Sequence, residues 1–172
     1  MKIAVCIKRV PDMDVRFKIG ANGTSIDEAG LKFDISDFDG YAVEAALQIK
    51  EKANAGEVVV ISLGADNVQE TLRKAMSMGA DRAVQLKHDA PVFDSFAIAT
   101  ALAAELSAGG YDLVMFGRMS IDTANQATGT IAAELLGLPI LTAISKLDVE
   151  GGKVRARREL EGAYELLECP DR

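Results

Sequence analysis

Apolar positions along the chain fall into two kinds of pattern. Four runs are short and nearly continuous: "KIAVCIK" (2–8), "EVVVISLG" (57–64), "RAVQLK" (82–87) and "DLVMFG" (112–117). Such β-branched runs, bounded by glycine or charge, predict strands of a sheet covered on both faces. Between them, apolar positions recur at helical spacing. "DFDGYAVEAALQIKEKAN" (37–54) offers Ala42, Ala45, Ala46, Leu47 and Ile49 to an inner face, with Ser36 or Asp37 as N-cap. "NVQETLRKAMSMG" (67–79) sets Val68, Leu72, Ala75 and Met76 on one side and Gly79 at its C-terminal end. "DSFAIATALAAELSAGG" (94–110) and a segment from Gln126 to Gly137 are the remaining two predicted helices.

Strands alternating with helices predict βαβ units, a parallel sheet and right-handed crossovers. With the four runs counted in chain order, the expected strand order is 3-2-1-4. Two segments interrupt the alternation. "VRFKIGANGTSID" (15–27) reads as a β-hairpin turning at "GANG". After Pro139, "ILTAISKLDVEGGKVRARRELEGAYELLECP" reads as three strands with turns at Gly151-Gly152 and near Gly162. The expectation is one nucleotide-binding α/β domain over residues 1–172, with a βαβ core at 1–139 and an antiparallel extension at 140–172.

Charge and composition narrow the function classes. A net charge of −7 argues against nucleic acid as a partner, because neutralising phosphates needs a basic face. No run reaches the roughly 18 apolar residues of a membrane span, so no membrane insertion is expected. "MKIAVCIKRVPD" lacks a cleavage-site pattern and reads as a strand rather than a signal peptide. Cys6 lies inside the first run and reads as a small buried hydrophobe, which fits a reduced, cytoplasmic compartment. One histidine, His88, and two distant cysteines leave no zinc site and no histidine-dependent nucleophile. Neither a catalytic residue nor a metal ligand emerges.

What remains is a binding site. Ligands of open parallel sheets bind beyond the carboxyl ends of the strands, where the strand order reverses. If the first and fourth strands are neighbours there, three loops converge: "KRVPD" (8–12), "GADN" (64–67) and the stretch from Gly117 to Gly129. Gly64 and Gly117 permit close backbone approach. Asp66, Asn67, Ser120, Asp122, Thr123, Asn125, Gln126 and Thr128 supply donors and acceptors. The last helix begins inside the third loop, so its free N–H groups form an anion site, to which Arg118 adds charge. Neither G-x-G-x-x-G nor G-x-x-x-x-G-K-[ST] is present. A solvated loop with a capped helix is the competing reading of the same pattern. Asp12 and Asp14 read as turn residues. Arg155, Arg157 and Arg158 read as a solvated strand face, or as a surface for an acidic partner.

Several segments resemble one family. "KIAVCIKRVPD", "FDISDFDGYAVEAALQIKE", "VQETLRKAMSMGADRAVQL", "DLVMFGRMSID…NQATG" and "VRARRELEGAYELLE" are similar, in order, to segments of electron transfer flavoprotein beta subunits. The resemblance implies a Rossmann-like three-layer α/β/α fold with a mostly parallel sheet, of the adenine nucleotide alpha hydrolase type. It implies a heterodimer with an FAD-bearing alpha subunit, carrying electrons from flavin dehydrogenases to a downstream acceptor. It also implies a structural AMP, or a second FAD. Carried over by position, the nucleotide site comprises Cys6, Ser36, Asp37, Phe38, Asp39, Leu63, Gly117, Arg118, Ser120, Ile121, Asp122, Asn125, Gln126 and Thr128. The exposed segments of that family correspond here to Arg158, Glu159 and residues 15–27, which are expected to face the alpha subunit.

The match is not uniform. Thr123 and Ala124 follow Asp122 where AMP-binding members have further aspartates, and the Asp-Gly-Asp of bifurcating members is absent. AMP and FAD both stay open. The chain ends soon after a strand-like run and is shorter than that family, which reads as C-terminal shortening. The alternative is a stand-alone universal-stress-type domain, a homodimer binding ATP or AMP. Its G-x2-G-x9-G-[ST] loop is not matched after the fourth run, where only Gly117 and Gly129 occur.

Overall fold

The computed structural model describes residues 1–151 and 153–170. Its centre is a four-stranded parallel sheet. The strands are β1 (Lys2–Cys6), β4 (Glu57–Gly64), β5 (Arg82–Lys87) and β6 (Leu113–Phe116), in the order β5-β4-β1-β6. This is the 3-2-1-4 order expected from the alternation. β1 lies between β4 and β6, with Ile3 opposite both Val58 and Leu113. The ends of β1 and β6 are therefore adjacent.

Both faces of the sheet are covered, and the alternation of side chains along a strand explains how. Val58 and Val60 of β4 pack with Ile3 and Val5 against helices α1 (Asp37–Ala53) and α2 (Val68–Met78). Val59 and Ile61 point the other way, with Ala4 and Cys6, toward α3 (Ser95–Ala108) and Tyr111. A strand buried on both sides favours apolar residues at successive positions, hence the unbroken "VVVI", with the small Ser62 as the one fully buried polar residue of β4. The last helix, α4 (Thr128–Leu136), packs beside α3.

The helices follow their sequence signals with small departures. Ala42, Ala46 and Leu47 of α1 are buried as expected. Val43 joins them, while Ala45 and Ile49 are half-buried. On α2, Thr71 is buried beside Val68, Leu72 and Ala75, whereas Met76, expected on the inner side, is 38% exposed. Gly79 closes α2, its N–H donating to Ala75 and Met76 carbonyls. Asp94 caps α3 by accepting from the Phe96 and Ala97 N–H groups at 3.2 and 3.1 Å. Asp94→Ala is expected to lower stability by about 1 kcal/mol, measured as a shift in urea midpoint.

One predicted feature changes, and one appears that was not predicted. The hairpin at 15–27 is reduced to one antiparallel bridge between Ile19 and Ile26, flanked by Gly20–Ser25 and Lys18–Asp27 hydrogen bonds. The alternating Val15, Phe17 and Ile19 find little to pack on: Val15 and Phe17 are only half-buried, and Ile19 is 73% exposed. A second short pairing is present that the pattern missed: β2 (Arg9–Pro11) runs antiparallel to β3 (Phe33–Ile35). Arg9 stacks over the Phe33 ring at 3.3 Å, which fastens this pair.

The C-terminal extension is antiparallel, as expected. β7 (Ile144–Glu150), β8 (Lys153–Leu160) and β9 (Ala163–Pro170) form a separate three-stranded sheet. Its inner face contributes buried Val154 and Ala156. Its arginines are paired within the sheet: Arg155 with Glu168, Arg157 with Glu159 and Arg158 with Glu165, at 2.9, 2.8 and 3.0 Å. Gly151 turns the β7–β8 connection at φ 63°, and Gly162 the next at φ 70°. Gly152, the other half of the first predicted turn, and the final Asp171-Arg172 lie outside the described residues. Among the described residues, no helix is long and apolar enough to cross a membrane, and no cluster of three or more His, Cys, Asp or Glu could hold a metal ion.

Candidate nucleotide site

The adjacent ends of β1 and β6 open into a cleft of about 910 Å³. All three expected loops line it. Lys8 and Arg9 come from the first loop, Gly64, Ala65 and Asn67 from the second, and most of residues 117–129 from the third. Of the residues carried over by resemblance, Cys6, Asp39, Leu63, Gly117, Arg118, Ser120, Asp122, Asn125, Gln126 and Thr128 line the cleft. Ser36, Asp37, Phe38 and Ile121 do not.

The third loop has an unusual backbone. Ala124 and Gln126 adopt left-handed conformations, at φ 52° and 54°. Each costs on the order of 1–3 kcal/mol for a residue with a Cβ, and such strain concentrates at binding sites. Asn125 between them donates to Ser95 Oγ at 3.3 Å, tying the loop to the start of α3. The residue after Gln126, Ala127, returns to right-handed geometry and starts α4. Alternating hands of this kind turn successive N–H groups toward one concavity. No side chain caps α4, so its first-turn N–H groups lack an intrahelical partner.

Charge in the loop is arranged around Lys8. Its ammonium donates to Asp122 at 2.8 Å and, at 3.4 Å each, to Ser120 Oγ and Thr123 Oγ1. Asp122 also accepts its neighbour's amide, Thr123 N–H, at 2.8 Å. Partial burial pushes the Asp122 carboxyl up. Lys8, Ser120 and the Thr123 amide outweigh that, and the group lies below its ordinary value. Asp122 thus holds the turn, as its place in the loop suggested. Lys8 opens the first expected loop but is not among the expected site residues. It stands at the end of an apolar run that reads as strand, and its partners are more than a hundred positions away.

Asp39 also lines the cleft, and only 6% of it is exposed. It accepts the Lys8 N–H at 2.8 Å and the Gly117 N–H at 3.1 Å. Burial drives its pKa from 3.8 to about 7, against the lowering effect of those amides and of the Lys8 charge, with Asp122 adding to the rise. Burial likewise pushes the Cys6 thiol up, with the Asp39 charge adding, so Cys6 serves as an inert wall. The Gly117 amide is therefore already taken by Asp39. Its missing side chain answers the closeness of α1. Arg118 is exposed at the mouth.

The whole has an apolar wall at Cys6, Leu63 and Phe116, a floor of strand ends, and a strained loop leading into an uncapped helix. Chemically it offers backbone N–H groups and one ammonium to an anion, with apolar contact for a flat ring beside it.

Comparisons with known proteins bear on what such a site belongs to. The sequence model of the electron transfer flavoprotein domain matches residues 23–172. A curated electron transfer flavoprotein subunit beta from Syntrophomonas wolfei is 34% identical over 98% of this chain and 66% of its own length. The protein of that name from Mycobacterium bovis is 40% identical over 95% of this chain and 64% of its own. The human one is 33% identical over 97% and 67%. The chain thus spans roughly two thirds of the length of these relatives.

Proposed function

The chain belongs to the electron transfer flavoprotein domain family, and from that premise we propose that it is the nucleotide-holding part of an electron transfer flavoprotein beta subunit. In this reading it pairs with an FAD-bearing alpha subunit in the cytoplasm. The pair takes electrons from flavin dehydrogenases and delivers them to a downstream acceptor. A bound flavin supplies the electron exchange, so the chain is a carrier subunit rather than an enzyme with catalytic side chains. Its own cleft holds an adenine nucleotide, AMP or a second FAD, in a structural role.

The observation carrying this reading is the loop before α4. Two left-handed non-glycine residues, Ala124 and Gln126, precede a helix without a side-chain cap, at the mouth of a cleft with an apolar wall. A folded chain retains such strain where a bound group repays it. The phosphate is placed against those N–H groups between Ser120 and Thr128 that Ser36, Asp122 and the Ser120 carbonyl do not already engage, with Lys8 close by to offset the negative charge of Asp122. The adenine is placed toward Cys6 and Leu63. The residues present fit such a group: N–H groups and an ammonium for an anion, and apolar contacts for a ring.

The deciding experiment is purification without tags on the partner, followed by mass spectrometry of whatever small molecule denaturation releases. AMP or FAD, with a yellow larger partner, is the expected result. A colourless self-paired dimer releasing ATP or nothing would overturn the reading. For the partner surface, charge reversal at Glu159 is expected to weaken association only slightly. Its carboxylate is already engaged by Arg157 and Ser145, and exposed pairs contribute about 0–1 kcal/mol.

Lys8→Met is expected to weaken nucleotide affinity about tenfold, since a charge-assisted hydrogen bond contributes about 1.5 kcal/mol or more. The wild-type affinity should fall with added salt and that of the variant should fall less. Calorimetry at low and high salt checks both. Equal salt dependence would place the phosphate away from Lys8.

A further inference from the structure

We infer that Ser36 and Asp39, at the start of α1, are positioning residues that hold the two ligand loops from behind, rather than nucleotide contacts. The inference rests on the nucleotide reading of the cleft and reassigns two residues that resemblance alone would make ligands.

The geometry is a set of five hydrogen bonds. Ser36 is fully buried, yet its hydroxyl makes no capping bond to α1. It is turned to the third loop instead, accepting the Ile121 N–H at 3.3 Å and donating to the Met119 carbonyl at 3.4 Å. The Ser36 backbone N–H donates to the Lys8 carbonyl at 3.1 Å. Asp39, one turn further on, accepts the Lys8 N–H with one oxygen and the Gly117 N–H with the other. The N–H and carbonyl of Lys8 and three residues of the 117–121 loop thus hang from two residues of one helix start. Of the two, only Asp39 reaches the cleft at all, and both its oxygens face amides.

Each bond joins segments remote in sequence, so none is a local turn. A buried serine at a helix start ordinarily serves the helix. Here that stabilisation is forgone, and the hydroxyl fixes the loop that carries Ser120 and Asp122. Lys8 sets its ammonium against the same loop, so releasing its peptide would shift the loop's only cationic partner among the described residues. A ligand that needs both loops in register depends on this clamp without touching it.

The test uses the whole chain and two readouts. Amide exchange is measured on the free protein at Lys8, Gly117 and Ile121, and nucleotide affinity by calorimetry with AMP, ATP and FAD. Ser36→Ala is expected to lower protection of Ile121 at least tenfold in the free protein, and affinity about as much. Asp39→Asn, which retains one acceptor oxygen, is expected to do the same at Lys8 or Gly117. The wild-type protection at these two amides should fall as pH rises toward about 7, where Asp39 ionises facing Cys6, Lys8 and Asp122 and opening rehydrates its charge. In Asp39→Asn it should stay flat. Affinity lost with free-state protection unchanged would make these residues ligand contacts and overturn the clamp. Should none of the nucleotides bind the wild type, the proposed function fails. The protection factors still decide the clamp, and unchanged Ile121 protection in Ser36→Ala would end it.

Discussion

Gly117→Val is expected to cost about 4 kcal/mol of stability and to abolish nucleotide binding, and Gly117→Ala, which adds the same Cβ, to cost most of that. A Cβ built on Gly117 would stand 2.6 Å from the Asp39 backbone nitrogen and 2.7 Å from the Phe38 carbonyl carbon, and would overlap the Asp39 carboxylate. The carboxylate could swing aside, but the two backbone atoms belong to the first turn of α1. The helix start would have to retreat from the end of β6. Overpacking of this kind costs about 1–3 kcal/mol. The retreat also breaks the Asp39 bonds to Lys8 and Gly117, at about 1 kcal/mol each. Gly40, on the same turn, is the control: nothing lies within 4 Å of its added Cβ. Gly40→Ala is expected to hold or raise stability by up to about 1 kcal/mol. Urea unfolding of the three variants beside the wild type measures all of this. A Gly117→Val midpoint within 1 kcal/mol of wild type would mean that the β6–α1 contact is loose, and the clamp with it.

The different fates of the sequence signals have physical causes. Strand order, helix spans and the antiparallel extension were legible because each rests on local periodicity and on connection rules that hold for any chain. "EVVVISLG" is a strand buried on both faces wherever it occurs. The site was legible only as a place, through the rule that ligands lie beyond the carboxyl ends of the strands. Its working parts were not. Lys8 reads as the tail of an apolar run, and Asp39 as an acidic residue in a helix's first turn. Their partners are set by packing across 31 to 114 positions. The strain at Ala124 and Gln126 has no sequence mark either, since neither residue is among those that favour a left-handed backbone. Hairpin chemistry at "GANG" was real but insufficient. A turn whose flanking apolar residues stay partly exposed leaves a single bridge.

Asp39 makes stability depend on pH in a direction opposite to Asp81 and Asp122. Its folded pKa of about 7 stands roughly three units above the unfolded value of about 3.9. Below pH 4 both states hold the proton, and the group contributes no pH dependence. Between pH 4 and 7 the unfolded chain releases the proton and the folded chain keeps it. The folded state then binds more protons, so stability falls as pH rises. Above pH 7 both states are ionised and the loss is complete, at ~4 kcal/mol from 1.36 kcal/mol per unit. Asp81 and Asp122 have the reverse sign, their folded pKa values being lowered by Lys50 and Lys8 among others. A single wild-type curve therefore mixes the two. Subtracting the curve of Asp39→Asn isolates the one group, because the variant keeps the shape and loses the titration. The wild type is expected to lose ~4 kcal/mol relative to the variant between pH 4 and 8, with the steepest change in the lower part of that window flattening near 7. Urea midpoints at half-unit steps provide the measurement. Parallel curves would show that Asp39 titrates alike in both states, and that water reaches it in the fold.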